Sequence, residues 1–143
     1  MKKYTVGFIF NKDLSKVLLI HKTKPEWQAG RINGIGGKVE DGEEYVDCMV
    51  REAEEETGIK SKSKDWVSTG VIEGKDAVIA TFGYQYEGEL FDAFVYEKEK
   101  IEWFSVQEIP DNVIMNLNWL IPLTIEKIRD AKILDFKVTY SDF

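Results

Sequence analysis

The sequence predicts a mixed α/β fold of the α+β kind, and three observations carry that prediction. Six runs are rich in β-branched and aromatic residues, two stretches repeat their apolar residues at helical spacing, and turn-forming residues separate them. The first two runs, 4–10 and 16–20, flank Asn11-Lys12-Asp13-Leu14-Ser15, so they are expected to form a hairpin. Residues 23–35, interrupted by Pro25, Gly30 and Gly34, read as a loop. A helix is expected over 44–57, where Val46, Met49, Val50 and Ala53 share one stripe. Runs 66–72, 77–86, 90–96 and 101–104 supply further strands, and 119–128 a second helix on the other face of the sheet. The tail 131–143 alternates Ile133, Phe136, Val138 and Tyr140 with polar neighbours, so it is expected to add an edge strand or to contact a second subunit, as in a homodimer.

Composition narrows the class. At 143 residues the chain matches one compact domain, 1–143, and its 43% hydrophobic and 13% aromatic content suits a packed core, not a disordered segment. No apolar run approaches the ~18 residues of a transmembrane helix. The apolar stretch after Met1-Lys2-Lys3 stops at Asn11, too early for a signal peptide, so a cytoplasmic location is expected. The single cysteine, Cys48, has no disulfide partner and fits a reducing compartment; mid-helix, it reads as a small packed hydrophobe. A formal charge of −7 speaks against broad nucleic-acid binding, which needs a basic footprint. Polyphosphate remains compatible, because Lys22, Lys24, Arg31 and Lys38 make one corner locally basic.

The first predicted helix ends in a cluster of acid that local stability does not favour. Glu55 and Glu56 oppose the helix macrodipole at a cost of about 0.3–1 kcal/mol each, and Glu52 and Glu56 repel one another at i, i+4. At about 100° per residue, Glu52, Glu55 and Glu56 share a face beside the apolar stripe. Carboxylates converging there are ligands for a hard divalent cation, Mg²⁺ or Mn²⁺, which prefers a few carboxylates together with substrate phosphates.

The stretch GKVEDGEEYVDCMVREAEEETGI, residues 37–59, resembles the Nudix box: Gly, five residues, Glu, seven residues, then Arg-Glu-aliphatic-any-Glu-Glu-any-Gly-aliphatic. Gly37, Glu43, Arg51, Glu52, Ala53, Glu55, Glu56, Gly58 and Ile59 fill every required place. The order of elements also resembles the Nudix fold, a mixed sheet sandwiched between helices. The resemblance implies metal-assisted hydrolysis of a nucleoside diphosphate linked to another moiety, with Glu52, Glu55 and Glu56 holding Mg²⁺ or Mn²⁺. Glu56 or a glutamate outside the box, among Glu97, Glu99 and Glu102 with Glu99 preferred, would take the proton from water. Arg51 is expected to orient a glutamate by a bidentate pair, Gly36 and Gly37 to let backbone approach a phosphate, and Lys22 and Lys38 to neutralise it.

Within the family, substrate marks are mostly negative. No proline lies between Pro25 and Pro110, where ADP-ribose-preferring members carry one, and the tyrosine of dinucleoside-polyphosphate enzymes is replaced around Ala77. Asn33-Gly34-Ile35-Gly36-Gly37-Lys38-Val39 resembles MutT-type enzymes of oxidised purine nucleoside triphosphates, in which an asparagine at the Asn33 place bonds the base. Asn116 stands where human-type members carry an acidic residue and is expected to serve as a second amide of a base pocket, with Trp27 or Trp119 as a stacking surface, although core packing is the stronger expectation for each Trp. The resemblance therefore implies a Mg²⁺-dependent nucleoside triphosphate pyrophosphohydrolase. The alternatives are a Nudix hydrolase of ADP-ribose, a nucleotide sugar or capped RNA, or a nucleotide-sensing module that does not cut.

Overall fold

The first strand, β1 (Lys2–Phe10), runs through an Asn11–Ser15 turn into β2 (Lys16–His21), and the two pair antiparallel with Ile9 opposite Leu18. The turn is built by its polar residues: Asn11 Oδ1 accepts the Lys16 N–H, and Asp13 Oδ1 accepts the Ser15 N–H. This computed structural model describes residues 1–141.

The expected loop 23–35 contains a short 3₁₀ turn at Glu26–Gln28 and a two-residue strand, β3 (Ile32–Asn33), paired with β2. Helix α1 (Tyr45–Thr57) follows, then β4 (Val67–Glu73), β5 (Ala77–Gln85), β6 (Phe94–Val95), β7 (Lys100–Ser105), α2 (Leu117–Arg129) and β8 (Phe136–Thr139). The main path of the sheet is β6-β7-β2-β1-β5-β4-β8, with β3 added to β2. Two of its pairings, β1 with β5 and β4 with β8, are parallel, so the sheet is mixed as expected.

Alternation along the strands feeds two cores. On one face Phe8, Phe10, Val17 and Leu19 pack with Leu117, Leu120, Ile121 and Ile125 of α2. On the other, Ile9, Leu18, Ile20 and Ile35 pack with Met49 and Ala53 of α1. The helices thus cover opposite faces, and α1 is held by the stripe predicted for it, with Cys48 fully buried beside Thr5.

The strand expected over 90–96 shrinks to Phe94–Val95. It sits at the sheet edge beside β7, and Asp92 interrupts its alternation; Phe91 instead meets Trp103 edge to face at 5.7 Å. The tail does add an edge strand, β8, although the part of that expectation on Asp142 and Phe143 lies outside the described residues. Trp119 packs edge-on to Phe136 as core packing required, whereas Trp27 is 67% exposed on the 3₁₀ turn, because that turn projects from the sheet with no buried residue of its own. Among the described residues no helix is long and apolar enough to cross a membrane.

Candidate active site at the end of the first helix

Helix α1 stops at Gly58, whose φ of 77° is the left-handed conformation that glycine adopts without strain, and whose N–H closes on the Glu54 carbonyl at 2.9 Å. The last turn therefore delivers Glu55 and Glu56 to the end of the sheet where β2 finishes. Ile20, Lys22, Lys24, Glu52, Glu55, Glu56, Glu97, Lys98 and Glu99 line a cavity of about 170 Å³ there. Of the residues singled out in the sequence, Lys22, Lys24, Glu52, Glu55, Glu56, Glu97 and Glu99 meet in this cavity.

Two glycines make the room. Gly36 donates its N–H to Glu56 Oε1 at 2.8 Å, and a side chain at Gly36 would strike the Thr5 carbonyl oxygen at 2.0 Å. A Cβ at Gly37 would lie 2.6 Å from the Glu52 carboxylate. Burial drives the Glu56 carboxyl up to about 8, with repulsion from Glu52 and Glu99 adding to it and the Gly36 N–H and Lys22 opposing. Glu52 is also raised, first by burial, against the pull of Arg51.

Arg51 is the hub of the acidic side. Its fork grips Glu43 through Nε at 2.8 Å and Nη2 at 3.1 Å, and Nη1 reaches Glu52 at 2.9 Å and Glu55 at 3.2 Å. Hydrogen bonding from Arg51 holds Glu43 down at about 2. The expected bidentate pair is thus present, on Glu43.

Glu99 is only 8% exposed and is saturated: Lys22 Nζ and Thr23 Oγ1 each donate at 3.0 Å, and the Thr23 N–H donates to the same carboxylate oxygen as the hydroxyl. Burial pushes its carboxyl up, but the Thr23 and Lys22 donors outweigh it and leave it below the usual carboxylate range. Glu102 pairs instead with His21 Nε2 at 2.8 Å. Asn33, Lys38 and Asn116 do not line the cavity. Both ends of the Asn33 amide are engaged, Nδ2 with Gln28 Oε1 at 3.0 Å and Oδ1 with the Gly34 N–H at 2.7 Å. Asn116 stands at the start of α2 with its Oδ1 buried and without a hydrogen-bond partner among the described residues. Sequence reasoning missed Thr23 and Lys98; the only signal for Lys98 was the alternating Glu97-Lys98-Glu99-Lys100, which also describes a solvated turn.

The oxygen-rich donors suit a hard cation, although among the described residues no three acidic, histidine or cysteine side chains are already gathered as a metal cage.

A model of the NUDIX domain matches residues 1–122. The chain is 27% identical over 123 residues to an NAD-capped RNA hydrolase NudC of Vibrio atlanticus, a match that covers 85% of this chain and 45% of that protein. It spans less than half the length of the curated relatives it matches. A MutT structure described for Aliivibrio salmonicida and Vibrio cholerae superposes with a TM-score of 0.67 at 22% identity, covering 87% of this chain and 98% of that one. An ADP-ribose pyrophosphatase of Streptococcus suis superposes at 0.65 and 19% identity, covering 97% and 98%. These two likenesses establish the fold.

Proposed function

Since this chain belongs to the NUDIX domain family, we propose that it is a pyrophosphohydrolase that uses a divalent cation to cleave a nucleoside triphosphate to the monophosphate and pyrophosphate, with residues 1–143 acting as one catalytic unit. The observation that carries this reading is the cavity itself, where Glu52, Glu55 and Glu56 face Lys22, Lys24 and Lys98. The helix contributes only carboxylates, whereas the segments across from it mix Lys22, Lys24 and Lys98 with Glu97 and Glu99, and this combination matches a metal–polyphosphate ligand, anionic overall but presenting cations to the helix.

The residues fit the cation on their own chemistry. Two of the three glutamates are driven upward by burial and mutual repulsion, which is the strain a divalent ion relieves. Glu52, Glu55 and Glu56 would hold Mg²⁺ or Mn²⁺, which, when bound, neutralises phosphate charge and acidifies the attacking water. Gly36 aims Glu56 into the cavity, and Gly37 leaves space for Glu52. Arg51 keeps Glu52 and Glu55 within one side chain's reach of each other. With a cation offsetting the burial that raises it, Glu56 would be ionised and able to accept the water proton. Lys22 lies against the substrate phosphates, with Glu99 at its back.

One observation favours a second reading. The curated relatives include enzymes named for NAD-capped RNA and for m7GpppN-mRNA, the latter 33% identical over 108 residues in Saccharomyces cerevisiae but with this chain covering 10% of it. A nucleoside diphosphate derivative, capped RNA or ADP-ribose included, is therefore the alternative substrate. A release assay with Mg²⁺ and with Mn²⁺, over ordinary and oxidised nucleoside triphosphates, ADP-ribose, NAD and capped RNA, decides between them. Pyrophosphate from a triphosphate is the expected product; turnover confined to the two-ended substrates would replace the leading reading with the second.

A further inference from the structure

Strands β2 and β7 pair up to Ile20 opposite Ile101 and then part. One buried carboxylate spans the gap. Glu99, just before Lys100 on β7, reaches Thr23, just after β2, and takes both the backbone N–H and the hydroxyl of that residue. The residues flanking this latch are all cationic: Lys22 and Lys24 around Thr23, Lys98 and Lys100 around Glu99. Three of them, Lys22, Lys24 and Lys98, line the cavity. Lys22 is committed to Glu99 at 3.0 Å, whereas Lys24 and Lys98 have no ion-pair partner among the described residues.

We infer that the Thr23–Glu99 latch is a positioning device that sets Lys24 and Lys98 side by side as a grip for the phosphate farthest from the helix. This rests on the functional reading above and deepens it: a pocket so built selects a chain of three phosphates over a two-ended diphosphate. The metal-holding wall is acidic and takes the phosphates nearest the cation. A third phosphate projects away from that wall, and the cations lining the cavity without an ion-pair partner among the described residues are Lys24 and Lys98, which outnumber the one unpaired carboxylate between them, Glu97. Both ammonium groups sit on exposed segments beyond the last β2–β7 pair, and the Thr23–Glu99 contact is a side-chain bond that joins those segments, so it sets their spacing. Thr23 and Glu99 act through the lysines and are positioning residues.

The test compares inorganic tripolyphosphate with pyrophosphate as ligands of the full chain, by calorimetry at fixed free Mg²⁺. Replacing both exposed lysines (Lys24→Gln with Lys98→Gln) should weaken tripolyphosphate about tenfold, the loss of charge-assisted bonds at a solvent-reached site, and leave pyrophosphate within about twofold. Thr23→Val removes the hydroxyl donor but keeps the backbone one, so a partial loss, about threefold and again confined to tripolyphosphate, is expected. Thr23→Ser should restore wild-type affinity, which a mere loss of β-branched packing would not explain. Equal weakening of the two ligands, or unchanged affinities in both the lysine and the Thr23→Val variants, overturns the latch. Wild-type protein that turns over triphosphates while those affinities stay unchanged would sink the latch alone. Wild-type protein that turns over none sinks the functional reading, and the binding comparison still decides the latch.

Discussion

Replacing Glu56 by glutamine should make the metal-free protein more stable and nearly inactive, and the size of the first effect follows from the site. The Glu56 carboxyl rises from an ordinary 4.5 to about 8, chiefly because it is buried at the end of α1. A carboxyl whose folded pKa is raised contributes stability that is full below its unfolded pKa, near 4.5, and is lost as pH climbs through about 8. The gap of roughly 3.5 units has a ceiling of about 5 kcal/mol, and solvent reaching the half-buried side chain trims this to about 2–4 kcal/mol. Glutamine keeps an oxygen for the Gly36 N–H but sheds the charge.

Urea or thermal unfolding in a chelator, at pH 5, 7 and 9, measures the effect. At pH 9, Glu56→Gln should melt roughly 5–10 °C above wild type, and the gap should close to within about 1 kcal/mol at pH 5. Saturating Mg²⁺ should stabilise wild type more than the variant, while turnover falls by about 10²-fold or more. Glu54→Gln, on an exposed position, should shift neither quantity. A variant that melts at or below wild type at pH 9 would refute the claim that this carboxylate is held under strain for a cation.

Millimolar Mg²⁺ or Mn²⁺ should raise the melting temperature of wild type, by an amount equivalent to about 2.7 kcal/mol at a hundredfold excess over Kd; no shift, with or without nucleotide, would count against the metal site. Gly37→Ala puts a methyl 2.6 Å from the movable end of Glu52, so turnover should drop about tenfold or more with little change in melting, and a large loss of stability instead would mean the clash falls on backbone. Gly58→Ala places a side chain at φ 77° and 2.7 Å from the Tyr96 ring, so unfolding should ease by about 1–3 kcal/mol, and an unchanged melt would show that the helix end is free to rearrange. Asn33→Ala breaks bonds to Gln28 and Gly34, so KM should rise alike for all nucleotides with about 1 kcal/mol of stability lost; a loss confined to one base would assign Asn33 to base reading.

Most of this architecture could be read from the sequence because its signals are local. Period-two runs such as 77–86 and the stripe Val46-Met49-Val50-Ala53 state their burial within one or two turns of chain, and the structure keeps them within a residue or so. Leu90–Tyr96 failed because edge position, a tertiary fact, decided how much of it pairs. The Thr23–Glu99 contact was illegible for another reason: it joins residues 76 apart through one hydroxyl and one backbone N–H, and neither partner sits in a pattern that marks it.

The glycines show where a motif is legible while its cause is not. The motif predicts that Gly36 and Gly37 leave room for a phosphate, yet the groups that approach them most closely belong to the protein, the Thr5 carbonyl and the Glu52 carboxylate. Gly36 cannot gain a side chain without displacing β1, and its N–H is what aims Glu56; Gly37 cannot gain one without displacing Glu52. Two carboxylates of the cluster are thus placed by the loop that precedes their own helix, and Arg51 ties Glu52 and Glu55 to Glu43, at the far end of that loop. The spacing from Gly37 through Glu43 and Arg51 to Glu56 is therefore one steric and electrostatic unit. A residue inserted between Gly37 and Glu43 should lengthen the loop without touching α1, and still move Glu52 and Glu56 off their partners.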